Sequence, residues 1–171
     1  KNLGELEIFV KERSAYVTQT TLYGYLKTRM GLKYTLMFSD DIFLRSVEKS
    51  KWNIFAEAVG DLTLYALNDL YNKNKLNQIS PKSFYSNILD KEKNNGMPID
   101  IIEKAKLSFE KRVDNKDFNI EEPFYNSGIA LYNWSPIADD LKILDKEIVI
   151  NSIKNKWKHV IDDFIRLTKN F

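Results

Sequence analysis

Apolar residues recur along this chain at the three- and four-residue spacing of helix faces, and no run alternates as a half-buried strand requires. Phe9, Tyr16, Tyr23 and Met30 stand seven residues apart, with Leu6 and Leu26 beside them, and mark one face of a long N-terminal helix. Ser14 is placed to cap a second helix and so divide that segment. Lys27 and Arg29 followed by Gly31 form a cationic last turn and a glycine C-cap, which predicts a stop at Gly31. Residues 32–38 read as a short apolar connection. Ser39, Asp40 and Asp41 then form an N-terminal cap for the run that begins at Ile42. A longer helix is expected from Lys51 onward, with Phe55, Val59, Leu62, Ala66 and Leu70 on its buried face. Gly60 lies inside it, a poor helix former tolerated where another backbone approaches closely.

Residues 72–80 are polar and read as a loop. Ser80-Pro81 starts a helix, with a capping hydroxyl and proline at the first helical position. That helix holds Phe84, Tyr85, Ile88 and Leu89 and dissolves into Lys93-Asn94-Asn95-Gly96. Pro98 opens the next, with Ile102, Ala105, Phe109 and Val113 at helical spacing, and Pro123 begins a short one ending near Asn133. Ser135-Pro136 repeats the start signal for a C-terminal helix with two apolar stripes. Ile137, Leu141, Leu144 and Ile148 form the first, and Ile153, Trp157, Val160, Phe164 and Leu167 the second. Between them the phase slips by five residues, which a kink, a bulge or a change of packing partner would each produce. The pattern predicts an all-α fold: one domain over residues 1–171, a bundle of six or seven helices with long N-terminal, central and C-terminal members.

Composition narrows the chemistry more than the fold. The chain has 171 residues, no cysteine and a single histidine, His159. Most zinc and transition-metal sites draw on imidazole or thiolate, and most nucleophilic triads need a histidine base. His159 faces the polar side of the last helix, where Asp163 stands one turn away, so a surface role is expected for it. Basic and acidic side chains nearly balance at +2, which argues against nucleic-acid binding. No apolar run is long enough to span a bilayer, and the cytoplasm is the expected location. Aromatics at 13% suggest a core, or an interface, built on large rings. No cofactor motif appears: there is no glycine-rich phosphate loop and no Gly-x-Ser-x-Gly turn.

The remaining candidates are carboxylates, aromatic rings and arginines. Asp40-Asp41 and Asp139-Asp140 fall near helix starts, where capping explains them. Glu57 and Asp61 stand one turn apart beside the apolar stripe of the central helix. A carboxylate there needs a cation or donors, and Arg13, Arg29 and Arg45 are the arginines of the N-terminal half. A structural ion pair is the favoured explanation. A sharper alternative is a ligand pocket in which Tyr23, Tyr25, Arg29 and Trp52 join Glu57 and Asp61, aromatic walls and one cation recognising an anionic or planar compound. A magnesium site combining Asp40 or Asp41 with Glu57 or Asp61 is a further version. Gly24, between Tyr23 and Tyr25, suggests a close helix–helix contact.

Two blocks carry a resemblance. Residues 19–31 read QTTLYGYLKTRMG, followed by Met37-Phe38-Ser39-Asp40-Asp41, Lys51-Trp52 and Asp61-Leu62-Thr63; the second block contains Trp134-Ser135-Pro136-Ile137-Ala138-Asp139-Asp140-Leu141-Lys142 and Asn151-Ser152. Together they resemble an uncharacterised family of small helical proteins from alphaproteobacteria, over a little under half of the chain. The resemblance implies a bacterial origin. Members of that family sometimes carry an esterase label, but no serine here sits in a nucleophile elbow and no catalytic residue carries over.

These readings give two expectations of function. The first is a non-catalytic cytoplasmic protein that works by binding another protein or a second copy of itself, which predicts an exposed apolar patch. The second is a small-molecule binder or metal-dependent hydrolase using Arg29, Asp40, Asp41, Glu57 and Asp61, which predicts that these groups converge in one pocket.

Overall fold

Three long helices carry the core in the computed structural model, which describes residues 2–171: α1 (Asn2–Met30), α3 (Asp41–Asn72) and α7 (Asp139–Leu167). The shorter elements are the single turn α2 (Tyr34–Met37), α4 (Pro81–Glu92), α5 (Ile99–Asp114) and α6 (Tyr125–Trp134). Among the described residues there is no strand, and the fold is an all-α bundle around one continuous hydrophobic core. Among these residues, no helix is long and apolar enough to cross a membrane.

α3 is the hub, touching α1, α4, α5 and α6. From Ile54 to Thr63 nearly every side chain is buried, whichever way it points. A helix without a polar face must be surrounded, and that forces the other helices to pack around it. α7 closes the bundle against α1 and α6.

Local chemistry sets several boundaries as expected. Gly31 takes a left-handed φ of 56° and ends α1, and Gly96 does the same at 94° beyond α4. Asp40 caps α3, accepting from the N–H groups of Ile42 at 2.8 Å and Phe43 at 3.0 Å. The Ser80 hydroxyl accepts from Ser83 N–H, with Pro81 in the first turn of α4.

Four expectations are corrected. α1 is not divided at Ser14, whose side chain is fully buried in mid-helix. Its innermost stripe is Leu6, Val10, Val17, Leu22 and Leu26, while Tyr16 is exposed and Phe9, Tyr23 and Met30 flank the core. The rings sit at the stripe's edge, where an aromatic body is covered and its rim stays wet. The run from Ile42 and the helix expected from Lys51 are one helix of 32 residues, because burial continues across the junction at Val47, Ser50 and Trp52. Ser135 does not open α7; its hydroxyl donates to the Leu131 carbonyl and closes α6, and α7 begins at Asp139.

The phase slip in α7 has a different meaning from those anticipated. The helix runs through it unbroken. Ile153, Trp157, Val160 and Phe164 are buried, whereas Leu144 and Ile148 are 73% and 70% exposed. Five residues turn a helix by about 140° beyond a full revolution, so the first stripe faces outward.

Candidate functional site

Asp61, on the most enclosed stretch of α3, has no solvent exposure. Its two oxygens are used separately. Oδ1 accepts from Arg112 Nη1 at 2.7 Å, and Oδ2 accepts from the Ser127 backbone N–H at 2.7 Å. Ser127 is the third residue of α6, whose first turn has no capping side chain of its own. The first N–H groups of a helix lack internal partners, and a carboxylate from α3 supplies one here.

Arg112 reaches Asp61 because α5 packs tightly on α3. Phe109, one turn before Arg112, lies against Gly60, where a Cβ would stand 3.2 Å from the Phe109 ring. Tyr85 of α4 stacks on Phe109 with centroids 4.0 Å apart and donates its hydroxyl to the Ala56 carbonyl at 3.0 Å. The guanidinium is held further by the Asp117 carbonyl at 3.2 Å from Nε. With the Asn126 amide turned so that both ends are satisfied, its oxygen accepts from Arg112 Nη1 and Nε, each at 3.1 Å. On the far side, Ser127 Oγ donates to the Phe124 carbonyl at 2.9 Å and accepts from Trp157 Nε1 at 3.0 Å. Trp157 stacks on Phe124 with centroids 4.4 Å apart. Hydrogen bonds thus link α5, α3, α6 and α7 through one buried centre.

Glu57 lies one turn before Asp61 and is mostly buried. Burial, with Asp61 adding to it, pushes its carboxyl up to about 7 against the opposing pull of Arg112. Burial likewise pushes Asp61 up to about 6, although Arg112 and Ser127 stabilise its charged form. The Tyr85 hydroxyl is raised by burial and by Glu57. Glu57 lines a cavity of about 410 Å³ whose walls include Tyr85, Phe109, Arg112, Asn126 and Trp134. Glu57 is not fully buried, and its oxygens are not among the buried polar atoms without a hydrogen-bond partner. Arg112 also borders a second hollow of about 560 Å³, which Asp61, Tyr65, Tyr71, Phe118 and Ile120 help to line.

The residues expected to form one pocket fall into separate places. Only Glu57 and Asp61 come together, with Arg112. Tyr25 and Arg29 instead converge on Asp145 of α7: the Tyr25 hydroxyl donates to Oδ2 at 2.7 Å, and Arg29 Nε lies 3.1 Å from the same oxygen. That contact joins the end of α1 to the start of α7. The Tyr23 ring packs against Phe38 at 6.1 Å. Trp52 meets Phe55 edge-on, with Lys51 Nζ 4.7 Å above its ring. None of these four borders the Glu57 cavity.

The magnesium version fails on helix geometry. Asp41 and Glu57 belong to the same continuous helix, and 16 residues at a rise of about 1.5 Å put them about 24 Å apart. Asp40 is occupied as a cap and Asp41 is exposed. Among the described residues, no three His, Asp or Glu side chains are grouped to hold a metal ion. The ion pair expected for Glu57 or Asp61 does exist at Asp61, but its cation is Arg112, outside the N-terminal arginines considered. Arg112 was legible: it follows Phe109 by three residues, on the inward side of α5. Asn126 and Ser127 gave no local signal, because their role arises only where α6 meets α3 and α5.

His159 is exposed as expected, but Asp163 pairs with Arg13 at 3.0 Å and with Arg166 rather than with the histidine. Gly24 is exposed, and nothing lies within 4 Å of where its Cβ would be, so it makes no close helix contact. Compared with protein-family models, with curated proteins and with solved structures, the chain matches none.

Proposed function

We propose that this protein binds a small molecule in the cavity beside Glu57, without catalysing its conversion. The carrying observation is that cavity: about 410 Å³, inside the usual range for ligand pockets, with stacked aromatic walls and a few convergent polar groups. Arg112, Asn126 and Tyr85 are each anchored by hydrogen bonds to other helices, so the walls are fixed before a ligand arrives. A fragment screen followed by backbone amide NMR shifts tests the reading. Bound fragments should perturb Glu57, Gly60, Arg112 and Asn126, and Ala105→Leu, which narrows the cavity, should abolish those shifts while the protein stays folded. Shifts confined to other surfaces would overturn it. The cytoplasm is the proposed setting, in keeping with a sequence that has no cysteine to oxidise.

A second reading, self-association, is favoured by the outward stripe of α7. Leu144 and Ile148 are mostly exposed and Leu141 partly so, at helical spacing on one face. Sedimentation velocity over a wide concentration range tests it. The wild type should form a dimer that Leu144→Lys dissolves, and a strictly monomeric wild type would dismiss it.

A further inference from the structure

The second hollow that Arg112 borders has walls built by two matched helix ends. α3 and α5 are each stopped by a residue in the left-handed region, Asn74 at φ 54° and Lys116 at φ 52°. At both ends the following residue bonds back over the turn, Lys75 N–H to the Leu70 carbonyl at 2.9 Å and Asp117 N–H to the Arg112 carbonyl at 3.0 Å. Both turns send the chain back beside α3, and residues 77–81 and 118–123 contribute walls to a space of about 560 Å³. These walls are tied down. Lys75 Nζ donates to the Thr168 carbonyl at 2.5 Å, the Asp117 carbonyl accepts from Arg112 Nε at 3.2 Å, and Glu122 pairs with Lys154 of α7 at 3.0 Å.

Apolar side chains gather around this hollow and stay open to water. Tyr71 is 52%, Phe118 43% and Ile120 87% exposed. One such residue would call for no explanation, but three around one concave space mark a surface that something covers. Charge gives the second constraint. The charged residues of the lining are two acids and two cations, already paired with each other: Asp61 with Arg112 at 2.7 Å and Asp69 with Lys73 at 2.8 Å. An ionic ligand would enter with no counter-charge left for it. The other polar groups include neutral amides, Asn68 and Asn72 one turn apart on α3 and Asn77 and Gln78 beyond its end. Each amide both donates and accepts. Leu64, Ile79 and Ile120 are also in the lining, and the hydroxyls of a sugar would lose water against them with nothing in return.

We propose that this hollow is a second binding site, for an uncharged molecule with a flat apolar ring and an amide-like group that both donates and accepts hydrogen bonds. Its ring covers Tyr71, Phe118 and Ile120, and its polar edge meets the amides of α3. The two bonded turns fix the walls before the ligand arrives, so little is left to order on binding. The site goes beyond the cavity beside Glu57 and stands independently of it, since the two linings share only Arg112.

Benzamide, benzamidine and benzoate, one planar shape in three charge states, are suitable probes, with methyl glucoside as an uncharged compound that lacks a flat ring. Binding is read by amide NMR shifts on the whole protein. Benzamide should perturb Tyr71, Asn72, Phe118 and Ile120 and bind at least about tenfold more tightly than the other three. Benzamidine or benzoate binding as well at those amides would overturn the uncharged assignment, and the glucoside binding as well or better would overturn the ring. No perturbation there by any of the four would overturn the site, whatever happens at Glu57 and Gly60. Ile120→Asp gives a second check, because that side chain is too exposed for the fold to depend on it. Benzamide affinity should fall at least about tenfold in the folded variant, and undiminished affinity would overturn the proposal.

Discussion

The Asp61 carboxylate on α3 caps α6 from 66 residues away, holding the Ser127 N–H on one oxygen and Arg112 on the other. Removing its charge leaves a largely buried guanidinium without its counter-ion. Breaking one side of a buried pair typically costs about 3–5 kcal/mol. Asp61→Asn should lose stability of that order in urea unfolding, and Asp61→Ala at least as much. A loss no larger than that of a typical surface substitution would show that the pair contributes little.

Stability should also depend on pH in an unusual direction. The Glu57 carboxyl, which is not paired with a cation, is raised by burial from 4.5 to about 7. The folded state therefore binds more protons than the unfolded chain within that interval. The contribution of Glu57 is complete below its unfolded value and is lost as pH rises through its folded value. Urea midpoints should fall from mildly acidic to neutral pH, and Glu57→Gln should flatten the upper part of that fall. An unchanged slope in the variant would assign it to other groups.

Two glycines should respond to alanine with opposite signs. At Gly60 the new methyl meets the Phe109 ring at 3.2 Å, and that ring is itself stacked on Tyr85. Overpacking of that kind costs about 1–3 kcal/mol, more than alanine's helix preference returns. At Gly24 the space is open, so Gly24→Ala should stabilise by up to about 1 kcal/mol. Thermal melts of the two variants settle both signs.

The outward stripe of α7 should be dispensable for folding. Leu144→Lys removes an apolar side chain that is already 73% exposed, and its effect on monomer stability should stay within about 0.5 kcal/mol. Trp157→Ala, from the inward stripe, should cost about 3–5 kcal/mol. Comparable losses in both variants would mean that the two stripes are equally packed.

What the sequence disclosed and what it concealed divide along a physical line. Signals completed within a few residues were readable: the stop at Gly31, the start at Ser80-Pro81, the cap at Asp40. Features that depend on which element packs where were not. Lys51 marks no break because α3 is surrounded on both sides of it. Ser135 carries the same dipeptide as Ser80, yet it serves the helix behind it. Glu57 and Asp61 could be singled out from their place beside an apolar stripe, whereas Ser127 of α6 has no local pattern to announce it, and Arg112, legible as an inward arginine of α5, meets Asp61 only through the packing of α5 on α3. Tyr25 and Arg29 were grouped with Tyr23 and Trp52 as the walls of a pocket, but the partner they share, Asp145, lies 120 residues further along the chain from Tyr25.

The remote cap on α6 also bears on how the protein comes apart. α6 has ten residues, short of the roughly 12–15 at which an isolated helix begins to persist in water. Its first turn is held by α3, and α3 in turn is held there by Arg112 from α5. None of the three can open alone without stranding a buried charge or donor. The Ser127 amide should therefore exchange its hydrogen only as fast as the bundle as a whole unfolds, making this short helix one of the slowest reporters in the molecule.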